Sequence, residues 1–456
     1  MATLRIAEWA TGLSYSDLPQ TVVDAAVRSF YNWLGCALGG SNHPTTTTAV
    51  KALSPFFGIG TSSILRDQSS GSGAAKADAS HSALINGIAS HVHDYDDTHL
   101  ETIIHPTGPV ASALLAQAEA LTAQGMTVTG DDFLLALVVG IEAECKVGLA
   151  VWPKHYDVGW HITSTTGSIG AAVAVSKLLS LFAEQTAHAI GIASTQVTGL
   201  REMFGTDTKS FHVGRSAQNG LLAAILASQG FTSSTSALEA KRGWVNVVGQ
   251  GINRLDEMVG SLGKVWEIEK NAFKPFPCGI VVHPVIDGCI QLHKEIREKG
   301  VDVQGIKRVK CRVHPLVLEL TGKKTPQDGL QAKFSVYHGG AVGLALGKAG
   351  PAQYADDVVR SNEIVSIRDR IDATADEQLG ADEAEIVVEF QDGKPLKKHV
   401  KHAIGSLEVP MTDEQLQEKF LDQVSLVLGK EGAKNASDIA WGLKGVSDVA
   451  ALVKAW

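Results

Sequence analysis

The sequence predicts a mainly α protein with a smaller α+β domain. Apolar residues recur at helical spacing through residues 1–265, the period shortens to two near residue 300, and helical spacing returns after Pro410. The expected organisation is a helical domain over 1–265, an α+β lid domain over 266–405, and helices over 406–456 that return to the first domain. At 456 residues, more than one core is expected.

In LPQTVVDAAVRSFYNWLGCALGG (18–40), Val22, Ala26, Phe30, Trp33 and Ala37 lie on one helical face, and Gly39–Gly40 end the segment. Further helices are expected near 74–91, 109–124, 131–151, 164–182, 214–229 and 235–241. Several are rich in Ala, Gly and Ser, small residues that let helix axes approach closely, so a tightly packed bundle is expected. The SSGSGAA stretch (69–75) reads as a short loop.

Strand periodicity begins in VKCRVH (309–314), where Val309, Cys311 and Val313 alternate with polar residues. AEIVVEFQDGKPLKKHV (384–400) reads as two strands joined by a tight Asp392-Gly393 turn. Helices are expected near 339–348 and 353–371, and Thr412 with Gln415 forms a capping box ahead of LQEKFLDQVSLVL.

Composition narrows the function. A net charge of −9 gives no support for binding nucleic acid or an anionic membrane. The apolar run FLLALVVGI (133–141) stops at Glu142 and Glu144, short of a membrane span. Five scattered cysteines, with no CxxC pair, argue against a disulfide framework and suit a reducing compartment. The N-terminus lacks a signal or transit pattern and VKAW carries no sorting address, so the cytoplasm is expected. Phosphate-loop, dinucleotide and HExxH motifs are missing from the sequence.

The candidate chemistry lies in HVHDYDDTHLETIIHP (91–106), with four histidines and three aspartates in sixteen residues. His105 precedes a helix start marked by Gly108-Pro109, where free N–H groups favour an anion. The pattern recurs with His161 in GWHITSTTGSIGAA, with Lys209, His212 and Arg215 in TDTKSFHVGRSAQNG, and with Lys274 and His283 in NAFKPFPCGIVVHP. If these entrances converge, they make a pocket for a substrate with two or three carboxylates and supply groups that titrate near neutrality. The bland readings are a solvated Lys209, an Arg215 paired on its own helix surface, and histidines that simply complete hydrogen bonds. A metal site built on His91-x-His93 is disfavoured, because two residues apart on a helix point about 200° from each other. No metal and no cofactor is expected.

HDYDDTHLETIIHPTG, GWHITSTTGSIGAA, TKSFHVGRSAQNG, KPFPCGIVVHP and AKFSVYHGGAV together resemble the MmgE/PrpD family, and they occur in family order along nearly the whole chain. The family includes 2-methylcitrate dehydratase, cis-aconitate decarboxylase and iminodisuccinate epimerase. The resemblance implies a helical domain with an α+β lid and a cofactor-free homodimer. It also implies an active site lined by Asp94, Thr98, His105, His161, Lys209 and Lys274. In that setting the two lysines hold substrate carboxylates, His105 and His161 move the proton, and Asp94 orients a histidine. Cys278 of the KPFPC motif, and Tyr337 or His338 after the Phe-Ser of AKFSVYH, complete the expected substrate-binding set with Thr98, His212 and Arg215. The expected activity is dehydration of a citrate-like polycarboxylate. Decarboxylation of a cis-aconitate-like acid and epimerisation of an imino-diacid are the family alternatives; a metal-dependent hydrolase and a non-catalytic helical binding protein are the alternatives from other classes.

Overall fold

The structure, a computed structural model, describes residues 1–66, 76–391 and 393–454. The chain forms two compact units. The first contains 1–92, 96–271 and 417–456, and the second contains 93–95 and 272–416. The breaks therefore fall at 271/272 and 416/417, and a three-residue piece of the opening motif joins the second unit.

The first unit is helical. Its elements are α1 (Ala2–Gly12), α2 (Gln20–Gly39), α3 (Pro44–Leu53), α4 (Ala79–His91), α5 (Thr107–Ala123), α6 (Gly130–Leu149), α7 (Lys154–Asp157), α8 (Ile162–Leu178), α9 (Ala183–Ser194), α10 (Asp207–Ser228), α11 (Trp244–Val248) and α12 (Leu255–Gly260). The helix expected over 235–241 does not form; turns occupy 235–242 and α11 begins at Trp244. The expected 69–75 loop lies outside the described residues.

Helix α8 packs among α5, α6, α9 and α10, and α4 packs against α2, α5 and α10. Small residues set these distances, as expected. A Cβ added to Gly87 of α4 would lie 2.5 Å from the Gly214 Cα of α10, and one on Gly220 would lie 2.6 Å from the Ser168 carbonyl of α8. Only glycine fits at either crossing. The Gly87–Gly214 crossing lies one turn from His91 and two residues from His212, so backbone contact positions both rings.

The second unit contains a four-stranded sheet in the order β6-β5-β7-β8, with β5 Ile306–Val313, β6 Ile371–Ala375, β7 Ala384–Phe390 and β8 Leu396–Val400. Short strands elsewhere are β1 (Ser62–Ser63), β2 (Lys76–Ala77), β3 (Asp97–His99) and β4 (Asn271–Phe273). β5 runs parallel to β6 and antiparallel to β7, and β7 and β8 are an antiparallel pair. The expected hairpin is therefore present, although Asp392 of its turn lies outside the described residues. Helices α13 (His283–Glu298) and α14 (Val336–Leu346) pack together, α13 against β7 and β8 and α14 against β6. The single helix expected over 353–371 is instead a 3-10 turn (Pro351–Tyr354) and two short helices, Asp356–Val359 and Asn362–Arg368.

After Pro410, the Thr412 and Gln415 capping box forms, with N···O distances of 2.9 and 3.3 Å. It opens the helix Asp413–Trp441, which kinks at Gly429 where φ is +69°. Phe420 of this helix stacks on Tyr31, and Lys419 donates to the buried Asn32, returning the segment to the first unit's core. Among the described residues, no helix is long and apolar enough to cross a membrane.

Candidate active site

In the helical unit the opening motif leaves α4 at His91 and makes a tight loop before α5. Four histidine rings lie in a row there. Ring centroids are 5.0 Å apart for His105 and His91, 6.0 Å for His91 and His161, and 5.3 Å for His161 and His212. All four residues are buried.

Hydrogen bonds orient each ring. His91 Nδ1 lies 2.7 Å from Asp96 Oδ2. His105 Nδ1 lies 2.7 Å from the Asp97 carbonyl oxygen and 3.2 Å from Thr98 Oγ1. A carbonyl only accepts, so Nδ1 carries hydrogen and Nε2 holds the lone pair of the neutral ring. Asp97 is itself tied down: Oδ2 accepts from Thr107 N at 3.2 Å, Thr107 Oγ1 at 2.5 Å and Asn271 Nδ2 at 2.6 Å. Burial, and then the neighbouring Asp96, push its carboxyl up to about 6 against those donors.

His161 is the N-cap residue of α8, and its Nδ1 lies 3.0 Å from His212 Nδ1 on α10. Burial pushes His161 well below the ordinary histidine range, and the nearby His212, His91, Lys209 and His105 act in the same direction. His212 is held down at about 4, first by burial and then by His91 and Lys209. Both rings are neutral at neutral pH. Lys209 lies in the first turn of α10, with Nζ 5.2 Å from the Phe204 ring centre, and that ring meets His161 edge-on at 5.1 Å. A buried acid–base row that meets the Asp96 carboxylate at His91 and has Lys209 nearby can accept, hold and return a proton.

The α+β unit holds the remaining expected residues except Arg215. Asp94 adopts φ +51°, a left-handed conformation uncommon for a non-glycine residue and easiest for Asp and Asn. Lys274 Nζ lies 2.7 Å from Asp94 Oδ1 and 3.3 Å from its carbonyl oxygen. The same short segment is anchored by Tyr95, which donates to Pro275 O at 3.0 Å, and by Lys333, which donates to His93 O at 2.7 Å. Lys333 also donates to Pro277 O at 3.1 Å. Cys278 is fully buried, and its thiol is pushed up to about 12 by burial, so it is no nucleophile here.

The structure thus brings together His105, Thr98, His161, His212 and Lys209 in one unit, and Asp94 and Lys274 in the other. Arg215 stays apart: it is exposed, and its guanidinium donates to Gln218 on its own helix at 2.6 Å. His338 is buried with Nε2 at 3.0 Å from the Gln353 carbonyl, and burial holds it at about 4. Tyr337 packs in the apolar core of its unit, with Lys324 Nζ 5.6 Å from its ring centre. Sequence reasoning passed over Asp96 and over Tyr354, whose buried ring has Lys333 Nζ at 5.2 Å from its centre. Asp96 stands next to Asp97 in the motif, and only the backbone path shows which carboxylate meets His91.

The HxH pair, expected on one helix, straddles a helix end. His93 follows the C-cap residue Val92 and is not helical, so helical divergence does not apply to it. In the helical unit, ligand atoms of His99, Glu101 and Glu267 lie within 4.8 Å of one another. Glu267, however, is already bonded by His99, Lys146 and Lys270. Protein cations fill the role a metal would take. A separate cleft of about 1120 Å³ between Leu13, Gln117, Lys177 and Phe182 includes none of the four histidines, and Lys177 there donates to the carbonyls of Thr11 and Leu13.

Comparison with known proteins identifies the family. Residues 4–254 match the MmgE/PrpD N-terminal domain and residues 276–444 match the MmgE/PrpD C-terminal domain. Cis-aconitate decarboxylase of Aspergillus terreus is 26% identical over 473 aligned positions, covering 99% of this chain and 95% of that protein. Cis-aconitate decarboxylase of Homo sapiens is 25% identical, with 97% and 91% covered. The mitochondrial 2-methylcitrate dehydratase of Yarrowia lipolytica is 24% identical, with 52% and 46% covered. The two domain matches span most of the sequence from end to end, and the chain belongs to the MmgE/PrpD family.

Proposed function

We propose that this protein is a metal- and cofactor-free lyase that decarboxylates a cis-aconitate-like polycarboxylate. The buried row of four histidines carries the reading, because it offers proton transfer beside a lysine in a water-poor interior. The preference for decarboxylation over the dehydration expected from sequence rests on the relatives that cover nearly the whole chain. Dehydration of a 2-methylcitrate-like acid is the second reading, favoured by the half-length match.

Breaking the C–C bond releases CO₂ and leaves an electron pair on carbon, conjugated with a remaining carboxylate. In this reading Lys209 pairs with a carboxylate and stabilises the developing charge. His105, protonated on both nitrogens, delivers the Nε2 proton to carbon, while the Asp97 carbonyl keeps Nδ1 bonded and the ring aimed. A six-carbon triacid becomes CO₂ and a five-carbon diacid, and solvent replaces the proton. His161 acts beside His105 in the proton itinerary. Lys274, held by Asp94, is proposed as a further carboxylate-recognising cation. The reading extends to a homodimer, for which the exposed Phe211, Leu222 and Leu226 of α10 offer an apolar face; light scattering tests it.

Proton NMR in D₂O with cis-aconitate, citrate, 2-methylcitrate and iminodisuccinate decides the reaction. The expected result is conversion of cis-aconitate to a five-carbon diacid carrying one deuterium on carbon. Activity should survive exhaustive chelation. His105→Ala should lower turnover by roughly 10²–10⁴-fold, the range for an acid–base group. Loss of water from citrate or 2-methylcitrate without CO₂ would establish the second reading, and no turnover of any of the four would remove both.

A further inference from the structure

We propose that His212 is a positioning residue that ties the tautomer of His161 to its own, so that the pair always presents one acceptor Nε2 and one donor Nε2–H. Its role in turnover rests on the lyase reading above; the pairing itself does not.

The two Nδ1 atoms are 3.0 Å apart. At that distance a single hydrogen must lie between them, since two bare nitrogens repel and two N–H groups collide. Burial keeps both rings neutral, with His91, His105 and Lys209 as the charged or titratable groups facing His161. A neutral imidazole carries one N–H. The ring that donates from Nδ1 therefore has a bare Nε2, and the ring that accepts at Nδ1 must carry its hydrogen on Nε2.

The surrounding frame prevents the rings from separating. Gly199, at φ +101°, passes so close that an added Cβ would lie 2.9 Å from the Ser164 Cβ and 3.2 Å from the His161 Cβ. Ser164 Oγ donates to the His212 carbonyl at 3.2 Å and lies 2.9 Å from Thr198 Oγ1, tying α8 to α10 at the pair. The coupled pair can also conduct. A proton taken at the bare Nε2 of one ring sends its Nδ1 proton across to the other, which releases its own Nε2 proton. One proton enters, one leaves, and both rings end neutral with their tautomers exchanged.

Protein labelled with ¹⁵N in histidine, without substrate and at pH 7, tests the pairing directly. The two rings are assigned by the signals lost in His161→Gln and His212→Gln. The expected spectrum shows opposite tautomers, one Nδ1–H and one Nε2–H. In His212→Phe the His161 ring should redistribute between tautomers, and in His212→Asn, where an amide can replace the lost partner, a single tautomer should return. Equal tautomers in the two rings, a cationic ring at pH 7, or an unaltered His161 in His212→Phe would overturn the proposal. On a substrate identified as above, His212→Phe should lower kcat by roughly 10²–10⁴-fold, the range for an acid–base group, whose upper end is the scale at which a wrong tautomer disables a histidine base. KM should be little changed, and His212→Asn should recover part of the loss. An unchanged kcat removes the positioning role. Absence of turnover by the wild-type protein counts against the lyase reading alone, because the ¹⁵N measurement needs no substrate.

Discussion

In the helical unit, Glu142, Glu144, Lys146, Glu267 and His99 are each no more than 2% exposed, whereas in the α+β unit Arg308, Lys310 and Arg312 project from one face of β5 into solvent. The exposed residues form cross-strand ion pairs: Arg308 with Asp372, Lys310 with Glu389, and Arg312 with Asp376 and Glu385. Each exposed pair exchanges hydration for a screened contact and contributes little. The buried set has no water to return to, so each member must find a partner or stay neutral. Glu267 finds partners: burial pushes its carboxyl up, but hydrogen bonds from His99, Lys146 and Lys270 outweigh this and hold it at about 2. Glu142 and Glu144 mostly stay neutral. Burial pushes Glu142 up to about 8 and Glu144 well above the carboxylate range, despite a bond from Thr166 to Glu144.

The sharpest way to break this comparison is Lys146→Met. Removing one partner of a buried pair typically costs about 3–5 kcal/mol, and the low end is expected because His99 and Lys270 still serve Glu267. Urea unfolding should show the loss as a lower midpoint at unchanged slope. A midpoint equal to that of the wild type would mean that the buried network is no more consequential than the exposed ladder.

Lys209→Met asks whether a buried cation beside the histidine row serves turnover and not folding. It removes a charge-assisted hydrogen bond to substrate, worth about 1.5–3 kcal/mol, so kcat/KM should fall at least tenfold with the unfolding midpoint nearly unchanged. A large stability loss with proportionate activity would reclassify Lys209 with the structural network.

Glu142 provides a pH signature. Its folded pKa of about 8 exceeds the ordinary 4.5, so between those values the unfolded chain gives up a proton that the folded one keeps. Its contribution to stability is complete below pH 4.5, declines as pH rises and is gone above about 8. Glu142→Gln keeps an acceptor for the Ile268 N–H and should flatten the fall of Tm across that window. An identical pH dependence in wild type and variant would place Glu142 in the ionised state. The smallest effect is expected from Arg308→Ala, at most about 1 kcal/mol and shrinking with added salt.

Local signals served the fold well where local physics decides. The capping box at Thr412, the β7–β8 pair and the Gly39–Gly40 stop each arise from a few adjacent residues. The expectation over 235–241 failed because long-range bonds hold the segment: Thr3 N and Oγ1 donate to Glu239 at 3.2 and 2.5 Å, Leu238 N donates to Thr3 Oγ1 at 3.1 Å, and Trp244 and Val245 are buried just after it. Helix α8 shows the opposite limit: its residues 162–176 are all buried, so it has no polar face and hardly any amphipathic stripe. Its existence was legible from composition and its position in the core was not. The apolar run before Glu142 taught a similar lesson, since two glutamates that seem to end a buried segment are themselves inside it.

By itself, the sequence determined that the chain is helical with an α+β insert, and that His105, His161, Lys209 and His283 stand at helix entrances, whereas Lys274, expected at one too, follows strand β4. These are properties of spacing and of motifs a dozen residues long. Tertiary structure alone decided which side chains meet. His161 and His212 are 51 positions apart, Asp94 and Lys274 are 180 apart, and Lys146 and Glu267 are 121 apart. It also turned Arg215 out to solvent and closed His338 into the core, although both stand in motifs as suggestive as those of the site residues. The reason is that a hydrogen bond depends on tenths of an ångström between segments, and those distances are set by close contacts such as Gly87 on Gly214, which no local pattern encodes.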